Sequence, residues 1–196
     1  MDWLFLGAAP VLARWQARGP APGVLAGPQG GDRRDVYERE VGLEAPGAPE
    51  GDGAFARCAR AILGYDIFPP AMLERVLERD PVELGDTVGA HFKLAPGVAI
   101  FFASRVVARF EGAREGEVHM TGFTYQTLEC HPELGEETFS VEKNVTTGAV
   151  VVALRSWSRP GTALARALAP LVRGLQVRGS RAALDHLAGV STRAGG

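Results

Sequence analysis

The spacing of apolar residues changes period at Pro81 and again at Pro160, and those two changes set out the elements of the chain. Between Asp52 and Pro81 the spacing is helical. Phe55, Cys58, Ala59 and Ile62 stand at i, i+3, i+4 and i+7, with Asp52 as the candidate N-cap. Tyr65-Asp66-Ile67-Phe68-Pro69 interrupts this pattern, and Pro70 then opens a second short helix with Leu73, Val76 and Leu77 on one face. Beyond Pro81 the period shortens to two. Residues 82–94, 98–110, 117–128, 137–145 and 149–157 read as successive antiparallel strands joined by short turns. In the second of these, Val98, Ile100, Phe102, Ser104, Val106, Ala108 and Phe110 share a face, which places Arg105 and Arg109 on the outer one. After Pro160, the stripe Leu164, Leu168, Leu171 and Leu175 predicts a helix over residues 160–187. A bend is expected at Pro170, which lacks a backbone donor and crowds the preceding turn.

Ahead of the helical stretch, residues 35–43 read as one more strand, and the Gly/Pro-rich segments 19–31 and 45–53 are loops. The apolar run Trp3-Leu4-Phe5-Leu6-Gly7-Ala8-Ala9 falls well short of the ~20 residues that span a bilayer. Asp2 stands where a secretory signal wants a basic residue. The run therefore reads as a helix packed on the body of a cytoplasmic protein. This divides the chain into an N-terminal helix and tether over 1–31 and one α+β domain over 32–190.

Composition adjusts this picture only slightly. A chain of 196 residues, 46% hydrophobic and 22% charged, is long enough for one domain with a real core. A net charge of −2 supplies no basic field, which argues against nucleic acid as a partner. Arginine so outweighs lysine (only Lys93 and Lys143) that a GC-rich bacterial source is expected. Cys58 and Cys130 have no metal or redox spacing, no two histidines are paired for a metal, and no phosphate-cradling glycine loop follows a strand. Neither a metal nor another cofactor is expected. Charge is nevertheless uneven: between Lys143 and Leu184 there is no acid, while Arg155, Arg159, Arg166, Arg173, Arg178 and Arg181 are all positive. That is either a solvated face or a docking face for an anionic headgroup or an acidic partner.

The densest polar chemistry lies over residues 121–160. Gly122, Tyr125, Thr127, Leu128, His131, Pro132, Gly135, Glu136, Glu137 and Phe139 are followed by Ser158, Arg159 and Pro160. This spacing resembles the pattern G-x-x-Y-x-T-L-x-x-H-P-x-x-G-E-E-x-F, then S-R-P, of the family catalogued as domain of unknown function 1990. The resemblance extends upstream to Tyr37-Glu38-Arg39-Glu40-Val41-Gly42 and residues 85–89, and downstream into the last helix. Gln126 and Cys130 depart from it. The family has no established activity. The order of strand, two helices, strand meander and long final helix also resembles START-like helix-grip folds. That likeness implies a curved antiparallel sheet wrapped around a long C-terminal helix, with an apolar cavity between them.

Tyr125, His131 and Glu137 are the candidate catalytic residues. If the strands at 117–128 and 137–145 are neighbours, His131 sits on their connection, above the other two. An imidazole held by a carboxylate there is a general acid or base near neutral pH. The same trio also serves as a purely structural hydrogen-bonded rim. Candidate ligand-binding residues are Phe102, Val106, Met120, Tyr125, Leu164, Leu168 and Leu171, around the implied cavity. Binding of a small hydrophobic molecule is the leading reading. The alternatives are a cavity enzyme (cyclase, dehydratase or hydrolase), and a module that meets a protein or membrane surface through the arginine-rich helix.

Overall fold

One antiparallel sheet of eight strands organises the protein, as seen in a computed structural model that describes residues 2–5, 12–95, 98–161, 166 and 169–193. The strands are β1 (Asp2–Phe5), β2 (Arg33–Leu43), β3 (Leu73–Leu77), β4 (Thr87–Ala95), β5 (Val98–Glu115), β6 (Val118–Thr127), β7 (Glu133–Asn144) and β8 (Ala149–Pro160). Their order is β2-β8-β7-β6-β5-β4-β3, with β1 paired to the start of β5. The described helices are α1 (Leu12–Gln16), α2 (Ala54–Leu63) and α3 (Ala169–Ser191), with a single 3₁₀ turn at Val24–Ala26.

Alternation along each strand gives the sheet two apolar faces. On the concave face Phe123, Phe139, Val141, Val152 and Leu154 are fully buried against Cys58 and Ile62 of α2 and Leu187 of α3. The Cys58 sulfur lies 3.6 Å from the Leu187 carbonyl oxygen, and burial pushes its thiol up to about 12. It is a small core hydrophobe. On the convex face Leu12 and Trp15 of α1 cover Phe101 and Ala103, with Trp15 meeting Phe101 edge-on at 6.0 Å. The 3₁₀ turn buries Val24 beside Leu134 and Trp157. The architecture is α+β, a curved sheet gripping its C-terminal helix, as the element order implied.

Several expected elements take another form. Residues 2–5 are a strand paired with β5, where a packed helix was expected. Leu73–Leu77 is likewise a strand, registered from Leu73 opposite Phe92 to Leu77 opposite Val88. Five residues carry too little periodicity to separate the two forms, and the open edge of β4 decides for strand. The even alternation of β5 holds from Ile100 to Val106 and then breaks at a β-bulge between Val106 and Ala108. The extra residue exchanges the faces, so Arg109 pairs with buried Phe123 on the concave side, while Phe110 joins Gly122 on the convex side. Helix α2 starts from Gly53, not Asp52. Its N-terminal donor at Phe55 is met by the Glu44 carboxylate at 2.8 Å, and a Cβ on Gly53 would lie 2.2 Å from that carboxylate. Strand β8 runs on to Pro160, and α3 ends at Ser191. Leu164, Leu168 and the turn on which a bend at Pro170 depends lie outside the described residues.

Candidate functional site

Cross-strand pairing assembles one polar row on the concave face. Tyr125 of β6 is opposite Glu137 of β7, Glu137 is opposite Ser156 of β8, and Ser156 is opposite Asp35 of β2. Directly paired residues share a face, so four strands contribute one polar side chain each at one level. The next level inward is apolar: Phe123, Phe139 and Leu154 are essentially inaccessible. Tyr65, on the turn after α2 with φ 52°, lays its ring against Phe123, Phe139 and Tyr125 at 6.0, 6.2 and 6.4 Å.

Within the row the Tyr125 hydroxyl donates to Glu137 Oε2 at 2.8 Å. Burial pushes the Glu137 carboxyl up to about 7, and the negative charge of Asp35 adds to that, outweighing the opposing hydrogen bond from Tyr125. Burial and the Glu137 charge together push the Tyr125 phenol well above its ordinary range. Asp35 is clamped from above. Arg173 of α3 reaches its two oxygens at 2.5 and 2.7 Å, the fork geometry that fixes a carboxylate most firmly. The C-terminal helix is thus tied to the sheet beside the row.

Towards the rim, Ser158 is opposite both Gly135 and Arg33, and Arg33 meets Glu133 Oε2 at 2.7 Å. His131 stands next to this pair but not where the motif suggested. Its Nδ1 lies 2.7 Å from the Glu133 carbonyl oxygen and 3.1 Å from its amide nitrogen, and its ring packs on Phe102 at 4.9 Å. Its hydrogen bonds therefore go to Glu133 and not to Tyr125, Glu136 or Glu137. Cys130, at φ 69°, turns the chain so that the ring folds back on its own loop. Burial depresses the imidazole to about 4, so His131 is neutral at ordinary pH.

The remaining candidates divide between the faces. Val106 and Tyr125 belong to the concave core, with Val106 1% exposed, while Phe102 packs against the cluster of Leu12, Trp15 and Leu128 and against the His131 ring. Met120 is opposite Glu142, an odd number of residues from Tyr125, and so belongs to the convex face. Single-residue alternation along β6 puts it there, on the side away from the polar row. Leu171 belongs to α3, while Leu164 and Leu168 lie outside the described residues. Several motif positions prove structural. A Cβ on Gly122 or Gly135 would fall 2.0 Å from a neighbouring strand's carbonyl oxygen. Arg159 bonds Asp32 at 2.6 Å and the Gly23 carbonyl at 3.0 Å. Glu136 accepts from Gln126 at 2.7 Å. Sequence reasoning missed Asp35, Ser156, Tyr65, Arg33 and Glu133, which reach the site from separate elements. Among the described residues no group of three His, Cys, Asp or Glu side chains is placed to hold a metal, and no helix is long and apolar enough to cross a membrane.

Comparison with known proteins follows this geometry. A family model described as "Domain of unknown function (DUF1990)" matches residues 24–186. No curated protein sequence matches the chain. Among solved structures, major latex-like protein 151 from Panax ginseng aligns with a TM-score of 0.50 at 11% identity, over 83% of this chain and 99% of that one. A hypothetical protein from Helicobacter pylori aligns with a TM-score of 0.54 at 11% identity, over 86% of this chain and 92% of that one. The di-domain ARO/CYC BexL from the BE-7585A biosynthetic pathway aligns at 0.53 with 14% identity, over 88% of this chain and 53% of that one. At such identities the likeness is one of fold.

Proposed function

Given that the chain belongs to the DUF1990 family, we propose that it holds a small hydrophobic molecule between the concave face of the sheet and the C-terminal helix. One observation carries this reading. A carboxyl and a phenol, Glu137 and Tyr125, are paired on an aromatic face where burial raises both. Burying such groups costs free energy that packing alone does not return, and orienting the polar end of an apolar guest is a use that repays it. Phe102 and Val106 of the sheet are the proposed apolar lining, and the expected Leu164 and Leu168 lie outside the described residues. The convex Met120 is left out of it.

Ligand-stabilised melting tests the proposal. A compound bound only by the folded state adds RT ln(1 + [L]/Kd), about 2.7 kcal/mol at a hundredfold excess over Kd. At least one member of a broad panel of apolar compounds is expected to raise the melting temperature, and the same mass is expected in protein purified natively from its source. An unmoved melting point together with an empty protein would overturn the reading.

A second reading, a cavity enzyme of the acid–base type, draws on the Glu137 carboxyl at about 7, where a group both takes and gives protons at ordinary pH. Turnover of the co-purifying compound, abolished in Glu137→Gln, distinguishes it from simple binding. The interaction-module reading, which rests on the arginines of the last helix, loses Arg173, since both oxygens of Asp35 engage that side chain.

A further inference from the structure

We infer that the molecule held in this groove presents hydrogen-bond donors, as a hydroxyl, phenol or amine, and not a carboxylate; this rests on the groove being the binding site proposed above. Glu133 lies four residues before Glu137 on β7, and the period of two places both on the concave face. Its side chain is only 10% exposed. Oε2 accepts from Arg33, but Oε1 is buried without a partner. Native proteins rarely leave a buried carboxylate oxygen in that condition. Half-buried Glu137 takes the Tyr125 hydroxyl on Oε2, and no other hydrogen bond to its carboxyl is present among the described residues. From the helix side, Gln176 buries a side-chain oxygen that also lacks a partner. It stands three residues beyond Arg173, on the same side of α3.

Unused acceptors therefore line this part of the groove, while its cations are committed. Arg33 is bound to Glu133 and Arg173 to both oxygens of Asp35. An incoming carboxylate would meet the Glu133 and Glu137 carboxyl groups beside two arginines, Arg33 and Arg173, that are already paired with acids. A hydroxyl, phenol or amine supplies what the acceptors lack. Four residues of strand put about 13 Å between the Glu133 and Glu137 Cα atoms, so one molecule of that length with a donor at each end serves both.

The test uses a set matched in length and apolar area: 4-phenylbutan-1-ol, 4-phenylbutylamine and 4-phenylbutanoate, titrated calorimetrically into the full chain at pH 7.5. The alcohol and amine are expected to bind at least tenfold more tightly than the carboxylate. In the double variant E133Q/E137Q, each amide keeps an acceptor oxygen, gains donors and loses the charge, so the discrimination should narrow at least fivefold. If the carboxylate binds as well as the other two, the donor inference falls while the groove remains a binding site. Unchanged discrimination in the double variant also overturns it, because selection then arises elsewhere. If none of the three binds, and the melting and mass tests are also negative, the groove reading falls with it.

Discussion

Among the described residues the acids Glu44, Asp86 and Glu137 have distinct surroundings, and the differences separate structure from candidate function. Burial pushes the Glu44 carboxyl up, but Lys143 at 2.9 Å and two backbone amides outweigh it and hold it below the ordinary value. Asp86 is likewise lowered, with Arg79 and the Glu83 amide overcoming its burial. Among the described residues Glu137 has a phenol as its donor and the negative charge of Asp35 nearby, and burial keeps it raised at about 7. A carboxyl raised on folding makes its full contribution to stability below its unfolded value of 4.5, and that contribution declines as pH rises towards 7. Glu137→Gln removes this dependence. Between pH 5 and 8 the wild type should lose, relative to the variant, on the order of 2–3 kcal/mol, measured as urea unfolding free energies of both proteins. A difference that stays constant with pH would show that Glu137 is not raised. At this scale the sequence motif was informative only in part. Tyr125 and Glu137 were legible because they face each other on adjacent strands. His131 was not, since its orientation follows from a left-handed turn at Cys130 that no spacing announces. Asp35 and Tyr65 come from elements distant in sequence, and only the register brings them in.

Elements were legible where their pattern is long and hidden where a neighbour decides. β6, β7 and β8 lie close to the expected strands because alternation persists over ten or more residues. β3 was hidden because its edge pairing overrides five residues of ambiguous spacing, and the β5 bulge because an inserted residue leaves composition unchanged. The start of α2 was hidden for a third reason: its cap comes from outside the helix. Glu44 bonds the amides of Phe55 and Glu50, and Lys143 of β7 holds Glu44 while also donating to the Ala48 carbonyl at 2.9 Å. The Glu44 and Lys143 side chains are 2% and 0% exposed, so this pair joins helix, loop and sheet in the dry interior. Lys143→Met removes the counter-charge and leaves a buried carboxylate, which should cost about 3–5 kcal/mol in a denaturant titration. Adding Glu44→Gln to that variant is expected to restore part of the loss. A cost below about 1 kcal/mol for Lys143→Met would mean that the pair does not hold these elements together.

Across the whole molecule, α3 has two different attachments to the rest of the fold, one packed and one ionic. Its later half is held by the core, where Ala183, Leu184 and Leu187 are buried against Cys58 and Ile62. Its earlier half is held to the far edge of the sheet by Arg173 on Asp35, an ion pair with side chains 36% and 17% exposed. A half-exposed pair is worth much less than a packed core, roughly 1 kcal/mol once solvent screening is allowed for. The helix should therefore open first where it covers the polar row. Asp35→Asn weakens the latch while keeping the side chain's shape. Amide hydrogen exchange at residues 171–176 should then accelerate about fivefold, the equivalent of roughly 1 kcal/mol of local opening, while residues 183–190 keep their protection. Equal acceleration of both halves would mean that α3 opens as a single unit, with entry to the groove then requiring the core itself to loosen. An unequal response instead places the entrance at the rim, beneath the start of the helix.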